Sequence, residues 1–271
     1  MRYLVDHDTH IHSGGSMCSG APDQTPERIL QYAADEGLTT VCLTDHFWDE
    51  AIPVPEGGWG RDFYCSQNYE HIRKQLPLPQ RDGIRFLFGV EAEMTLDGTV
   101  GLTPERCEDL DFALISISHF HMTDFTISAA DAATPEGRGR VLMDKLEWLL
   151  AKPFPWHKIS LAHLTGPKLG GGDPTFHIAA IDSMKGERLT NLLKKAAALG
   201  VSIELNTGTF RFAHEAEAEA VVAFYAHAKA CGCRFTFGSD THRPAEFGEH
   251  KARGQWMADR LGLTPEDIHS F

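Results

Sequence analysis

Short apolar runs alternate with amphipathic segments along most of the 271-residue chain. Residues 26–36 predict the first helix, because Thr25 suits the N-cap, Pro26 suits the first turn and Gly37 ends the segment. An apolar run follows at once, and this order recurs. Further helices are predicted at residues 68–76, 103–110, 140–152, 188–200 and 217–232. The apolar run 3–5 is predicted to start the first strand. Six further strands are predicted at residues 39–44, 85–91, 112–118, 158–163, 201–206 and 233–238.

Strands that alternate with helices in this way are typical of a parallel α/β sheet, and seven of them indicate a closed or nearly closed barrel. Such barrels usually need about 250 residues, so residues 1–271 are predicted to form one domain. No linker-like segment divides the chain. Residues 49–67 and 165–187 are rich in glycine and proline and too long for plain connections, so both are predicted to form the rim of a pocket.

The composition argues against several classes of protein. The formal net charge is −13, with 38 acidic and 25 basic residues, which disfavours a nucleic-acid partner. No apolar run approaches the roughly 18 residues of a membrane span, so no membrane partner is expected. The N-terminal residues show no apolar export signal, and a cytoplasmic location is therefore expected. The six cysteines include no C-x-x-C pair and are expected to be free thiols.

Most predicted strands end in a histidine or a carboxylate. His10 and His12 share one face of the first strand with Cα atoms about 6.6 Å apart, close enough for both imidazoles to reach one ion. A solvated strand end would explain this pair equally well. The carboxyl ends of barrel strands converge, however, and the buried charges gathered there would need cations between them. The residues that follow the later strands are His46, Glu91, His119, His163, Asn206, Asp240 and His242.

Six short motifs follow one another along the chain: D-x-H-x-H at 8–12, T-D-H at 44–46, G-V-E at 89–91, S-x-S-H at 116–119, A-H at 162–163 and G-S-D-x-H at 238–242. Their order resembles the PHP family, named after polymerases and histidinol phosphatases. The similarity extends from residue 6 to about residue 248, and the element E-L-N-T-G-T-F-R at 204–211 is most similar to the histidinol-phosphatase branch. The resemblance implies a distorted seven-stranded (β/α)7 TIM-like barrel of PHP type that holds two to three zinc, iron or manganese ions.

The same resemblance implies how the ligands are shared among the ions. Glu91 would bridge two ions, and the remaining ligands of each ion would be side chains of different strands. The first ion would be held by His10, His12, Glu91 and Asp240, the second by Glu91, His119 and His163, and the third by His46, His242 and Cys18. Relatives commonly have a histidine or an aspartate at the position of Cys18. The alternative for Cys18 is a small buried hydrophobic side chain without a ligand role.

The resemblance also implies hydrolysis of a small phosphorylated metabolite through a metal-activated hydroxide, with Glu91 and Asp240 as metal-bound catalytic groups. Arg211 would contact the phosphate, because a guanidinium suits its geometry; a surface salt bridge is the alternative. L-histidinol phosphate is one candidate substrate. The segment L-A-H-L-T-G-P at 161–167 does not reproduce the pattern of the histidinol-phosphatase branch, so the leaving group stays open.

Other interpretations remain at this point. A metal-dependent amidohydrolase also begins with H-x-H, a nuclease would conflict with the acidic net charge, and a non-catalytic PHP module would use its metals for stability alone. Asp8 and Asp45 are expected either to orient the imidazoles or to be solvated strand ends. His121 is a candidate substrate contact. The sequence makes no prediction of the oligomeric state.

Overall fold

Seven parallel strands form one sheet in the computed structural model, which describes residues 1–56 and 59–271. Each strand pairs with its neighbours in chain order. The strands are β1 (His7–Ile11), β2 (Thr40–Phe47), β3 (Arg85–Glu93), β4 (Phe112–Ser116), β5 (Ile159–Ala162), β6 (Ser202–Asn206) and β7 (Phe235–Gly238).

Hydrogen bonds between the ends of β1 and β7 nearly close the sheet into a barrel. The backbone N–H of Asp240 donates to the carbonyl of His10 at 2.7 Å, and that of His12 donates to the carbonyl of Thr241 at 3.0 Å. The predicted α/β barrel is therefore confirmed. The first strand is shorter than predicted: residues 3–5 precede it, and β1 begins only at His7.

The helices surround this barrel. Besides short 3-10 turns, they are α1 (Pro26–Glu36), α2 (Trp59–Cys65), α3 (Tyr69–Ile72), α4 (Ala129–Ala132), α5 (Pro135–Leu149), α6 (Pro174–Ser183), α7 (Glu187–Leu199), α8 (Glu215–Ala230) and α9 (His250–Leu261). The predicted caps of α1 are confirmed, because the side chain of Thr25 accepts the N–H of Arg28 and Gly37 has a left-handed φ of 64°.

Two predicted segments differ in the structure. The predicted helix at 103–110 is only a 3-10 turn at Arg106–Asp109, whose end is held by Lys158, the donor to the carbonyls of Cys107 and Leu110. The predicted loop 165–187 contains α6, capped by Asp173, which accepts the N–H groups of Thr175 and Phe176.

The apolar core lies mainly between the strands and the helices. One large buried cluster includes Ile115 of β4, Leu146 of α5 and Leu193 of α7. This layer fixes the strands rigidly, so that their carboxyl ends can present polar side chains at one end of the barrel. All six cysteines are free, as predicted. None of the helices in the described parts of the chain is long and apolar enough to cross a membrane.

Candidate metal centre

The carboxyl ends of the strands bring eight of the nine predicted ligands together, whereas His119 belongs to none of the groups in the described chain and lies beside them, with its Nε2 3.8 Å from Glu91 Oε1. Ligand atoms lie within 4.8 Å of one another in three groups, and these groups share residues. The groups are His10, His12 and Asp240; His10, Glu91 and His163; and His12, Cys18, His46 and His242. Six different segments of the chain contribute to this centre, so it depends on the whole barrel.

The first group places two imidazole nitrogens face to face. The Nε2 atoms of His10 and His12 are 3.1 Å apart, and Asp240 Oδ1 lies 3.3 Å from that of His12. His10 directs its Nδ1 at Glu204, so its Nε2 faces the group. Two nitrogens on one tetrahedral zinc at 2.0–2.1 Å would be about 3.3 Å apart. The donor set and its spacing therefore fit a divalent transition metal.

Glu91 directs its two carboxylate oxygens at different histidines. Oε2 lies 3.5 Å from the Nε2 atoms of both His10 and His12 and 3.0 Å from His46 Nδ1. Oε1 lies 2.9 Å from His163 Nε2 and 3.8 Å from His119 Nε2. Such an arrangement suits a carboxylate that bridges two cations.

The fully buried carboxylate is nevertheless held in its charged form. Burial raises the pKa of Glu91, but His46, His10 and His119 outweigh that effect and keep the pKa well below its usual range. Burial lowers the pKa of His12 well below its usual value, and its Nδ1 is buried without a hydrogen-bond partner in the described chain. A neutral imidazole with a free lone pair is the form that binds metals.

All three groups differ from the prediction by one residue: the first lacks Glu91, the second has His10 in place of His119, and the third gains His12. His12 joins Cys18, His46 and His242, and the rings of His12 and His242 stack at a centroid distance of 4.2 Å. Cys18 lines a cavity and its ligand atom lies among those of three histidines, which favours a ligand role over the alternative of a small buried hydrophobic side chain. Burial raises the pKa of its thiol, but the hydrogen bonds to His242 and His46 prevail and lower the pKa to about 6.

Three interactions that the sequence analysis did not anticipate orient the imidazoles. His119 Nδ1 bonds to Glu93 Oε2 at 2.6 Å, and His163 Nδ1 lies 2.9 Å from Ser118 Oγ. His10 Nδ1 bonds to Glu204 Oε1 at 2.7 Å. These contacts leave the Nε2 atoms for the centre. The contact between Glu93 and His119 has a signal in the sequence. Side chains two residues apart on a strand share a face, so Glu93 of β3 lies on the same face as Glu91.

Asp8 and Asp45 have other partners than predicted. Asp8 accepts the N–H of Ser239 at 2.8 Å and the hydroxyl of Tyr32 at 3.0 Å. Asp45 accepts both the N–H and the hydroxyl of Ser13, each at 2.6 Å. The expectation that these carboxylates orient the imidazoles is therefore wrong; Asp45 instead fixes the start of the loop that leads to Cys18.

Two candidate ligands have a left-handed backbone. The φ angles are 31° at His163 and 57° at Asp240, a region that residues with a side chain rarely adopt. The N–H of His163 donates to Glu204 Oε2 at 2.7 Å, and that of Asp240 donates to the carbonyl of His10 at 2.7 Å. These bonds stabilise the unusual conformations, which are common where function dictates the direction of a side chain.

A cavity of about 750 Å³ opens beside the candidate ligands. Arg211 and His121, the two candidate substrate contacts, both line it. The Arg211 side chain is 56% exposed, and its Nη2 lies 3.3 Å from Glu249 Oε2. Burial, with the charges of His119 and Lys168, lowers the pKa of His121 to about 3.

The two predicted rim segments contribute unequally to this cavity. Residues 166–168, 171 and 172 of the segment 165–187 line it, whereas none of the described residues of 49–67 does. Residues 57 and 58 of that segment lie outside the described residues. Phe63 instead packs its ring edge-on against His46 at 5.1 Å. The prediction of a rim at 49–67 is thus wrong for this cavity.

Comparison with known proteins identifies the family. The profile of the PHP domain matches residues 8–208. The chain belongs to the PHP family. Two proteins described as a "probable phosphatase" match it: one from Aeromonas hydrophila is 24% identical over 92% of this chain and 82% of the relative, and one from Photobacterium profundum is 22% identical over 93% and 83%.

A solved structure supports the PHP barrel as the fold. It is the histidinol phosphate phosphatase of Lactococcus lactis, which was crystallised with zinc, L-histidinol and phosphate. The TM-score is 0.63 at 16% sequence identity, and the alignment covers 97% of this chain and 95% of that one.

Proposed function

We propose that this PHP protein hydrolyses small phosphomonoesters with the aid of two to three divalent transition-metal ions. The observation that carries the proposal is the position of Glu91, whose two oxygens face different groups of histidines. A bridging carboxylate would hold two cations close enough to act on one phosphate. The family and the two relatives described as phosphatases support the same reaction.

The donor set limits the identity of the ions. Imidazole and carboxylate ligands suit zinc, iron or manganese, and a thiolate at Cys18 would favour the softer zinc or iron in its group. When bound, such ions acidify a water molecule and neutralise negative charge on the phosphate.

Residues of the chain would orient the metal ligands and bind the substrate. Glu93 and Glu204 hold His119 and His10 in the tautomer that leaves Nε2 free for a metal. Arg211 would bind phosphate oxygens through its guanidinium and so keep the phosphorus atom next to the centre. The size of the cavity, about 750 Å³, and the acidic net charge favour a small phosphorylated metabolite over a nucleic acid.

The decisive experiment combines metal analysis with kinetics on the wild type and on Glu91→Gln. The wild type should contain two to three transition-metal ions per chain and should lose phosphatase activity when a chelator removes them. Glu91→Gln should contain fewer ions and be inactive, because an amide oxygen cannot bridge two cations as a carboxylate does. Normal metal content and normal rate in this variant would contradict the proposal.

A panel of substrates distinguishes the proposed phosphatase from an amidohydrolase and from a non-catalytic module. We expect phosphate release from one or more phosphomonoesters of a panel that includes L-histidinol phosphate, and little activity on phosphodiesters or cyclic amides. Hydrolysis of the amides alone would indicate an amidohydrolase. A metal-loaded protein that hydrolyses nothing in the panel would indicate a non-catalytic module and would overturn the proposal.

A further inference from the structure

The wall of the cavity is strongly cationic, although the protein as a whole carries a net charge of −13. Outside the candidate metal ligands, five cations and one carboxylate of the described residues line it. They are Arg138, Lys168, Arg211, Arg243 and Arg253, and the carboxylate of Glu246. A single phosphate needs fewer positive charges than this, particularly beside metal ions. The excess indicates that a second negative charge enters the cavity.

Arg138 is the cation best placed to bind that charge, because it is fixed but not neutralised. Its Nε donates to the carbonyl of Ala132 at 2.9 Å, and its Nη1 donates to the carbonyls of Lys168 and Leu169 at 2.8 and 3.1 Å. Its guanidinium also lies 5.0 Å from the ring of Phe176. In the described chain no carboxylate pairs with it, and its Nη2 has no hydrogen-bond partner.

Arg211 and Arg253 differ from Arg138 in this respect. Both approach the same carboxylate, that of Glu249, which offsets part of their charge. An arginine that bonds only to neutral carbonyls retains its full charge, and one that is already immobilised loses little side-chain entropy when it binds a ligand.

The loop beside Arg138 keeps the guanidinium accessible. Gly171 lines the cavity and has a φ of 60°, and a Cβ at this position would lie 3.2 Å from both Nη atoms of Arg138. Glycine therefore allows the backbone to pass close by without covering the guanidinium. Lys168, in the same loop, adds a second, exposed positive charge to this side of the cavity.

We propose that the leaving group of the substrate carries its own anionic group, a carboxylate or a second phosphate, and that Arg138 binds it. This inference rests on the proposed phosphatase function and specifies its substrate class. A planar guanidinium with a free N–H suits either anion. A leaving group with an ammonium, such as histidinol, would meet like charge, so L-histidinol phosphate would be a poor substrate.

A matched series of substrates tests the inference on the metal-loaded, full-length protein. The series consists of four propyl phosphate esters that end in a hydroxyl, a carboxylate, a phosphate or an ammonium group. We expect kcat/KM to be about tenfold or more higher for a carboxylate or phosphate end than for the hydroxyl, and lowest for the ammonium. The ratio between the carboxylate and phosphate esters tells which anion the site takes.

Arg138→Met tests the residue itself. This variant should lose the preference, so that kcat/KM for the anionic esters falls about tenfold relative to the hydroxyl ester. The control is Arg140→Met on the same helix, because Arg140 pairs with Asp131 and Asp144 and does not line the cavity. An equal loss on all four esters in Arg138→Met would assign Arg138 a structural role and overturn the inference.

The wild-type series also distinguishes failure of this inference from failure of the proposed function. Hydrolysis of the hydroxyl ester without any dependence on the terminal charge would leave a phosphatase but overturn the anionic leaving group. Preference for the ammonium ester would do the same. If a protein with its metals bound hydrolyses none of the four esters, both proposals fail. These outcomes do not require the Arg138 variant to fold.

Discussion

Glu204 accepts a hydrogen bond from His10 Nδ1 at 2.7 Å, and both side chains are completely buried. Its second oxygen accepts the backbone N–H of His163 at 2.7 Å. One carboxylate of β6 therefore fixes the imidazole of one candidate ligand and the strained backbone of another. Since both partners donate, the site requires an acceptor at each oxygen.

Glu204→Gln should weaken metal binding without removing a ligand. A glutamine has one acceptor oxygen, so its amide nitrogen would face one of two donors that both need an acceptor. Loss of such an orienting contact typically lowers metal affinity 10–100-fold. We expect an affinity loss in that range and a parallel fall in activity at limiting metal, measured by titration with a competing chelator and by kinetics over a range of metal concentrations.

The matched control is Glu217→Gln. Glu217 also bonds to a buried histidine, His177, at 2.8 Å, but that pair belongs to none of the candidate metal groups. This variant should keep its metal affinity. Equal affinity losses in both variants would attribute the effect of Glu204 to general destabilisation.

The ligand positions could be predicted because they depend on local pattern. His10 and His12 show the period of two of a strand, and His46, Glu91 and His163 each follow or end an apolar run. Parallel strands in a barrel bring all these ends together whatever their separation in the chain. The sequence therefore predicts the fold and the end of the barrel at which these candidate ligands gather.

Contacts between strands could not be predicted in the same way. The contacts of Glu204 cannot be inferred from local pattern, because its partners belong to β1 and to the residue after β5, and a period of two reveals the face but not the neighbour across the barrel. The helix α6 is a different case, since Asp173 and Pro174 are a cap signal that the glycine-rich stretch before them obscures.

The burial of Lys145 should make the unfolding free energy of the protein depend on pH. Its side chain is completely buried, its Nζ donates to the carbonyl of Met94 at 2.6 Å, and burial lowers its pKa from 10.5 to about 8. Between these two pH values the unfolded state binds more protons than the folded state, so this group contributes increasing stability as the pH rises. Its destabilising effect is fully present below pH 8.

The stability of Lys145→Met relative to that of the wild type should therefore be greatest at neutral pH, where the buried lysine destabilises the wild type most. The difference in unfolding free energy should shift by about 2–3 kcal/mol in favour of the wild type between pH 7 and pH 10. Urea denaturation at several pH values measures it, and Lys194→Met at an exposed position of α7 gives the baseline. A pH-independent difference would contradict the prediction.

Arg211→Lys tests the predicted phosphate contact. A lysine keeps the charge but loses the planar pair of donors, so activity should fall at least about tenfold on every phosphomonoester while the metal stays bound. Kinetics on several esters and metal analysis check this result. A loss confined to one ester would place Arg211 at the leaving group. Unchanged kinetics would leave only its surface ion pair with Glu249.

A substitution of Cys18 tests whether the protein binds a third ion. Its ligand atom lies within 4.8 Å of those of His12, His46 and His242, in a group that contains no carboxylate. Three imidazoles and a thiolate favour zinc or iron over manganese. Cys18→Ala should therefore bind one ion fewer per chain than the wild type, as measured by elemental analysis after dialysis.

Two further variants make the result specific to the thiolate. Cys65→Ala, which changes an exposed cysteine outside the three groups, should keep the full metal content. Cys18→Asp should restore the third ion with a greater preference for manganese, because a carboxylate is a harder ligand than a thiolate. An unchanged ion count and unchanged kinetics in Cys18→Ala would show that the thiol is not a ligand, since a side chain that holds an ion cannot be removed without consequence for binding or rate.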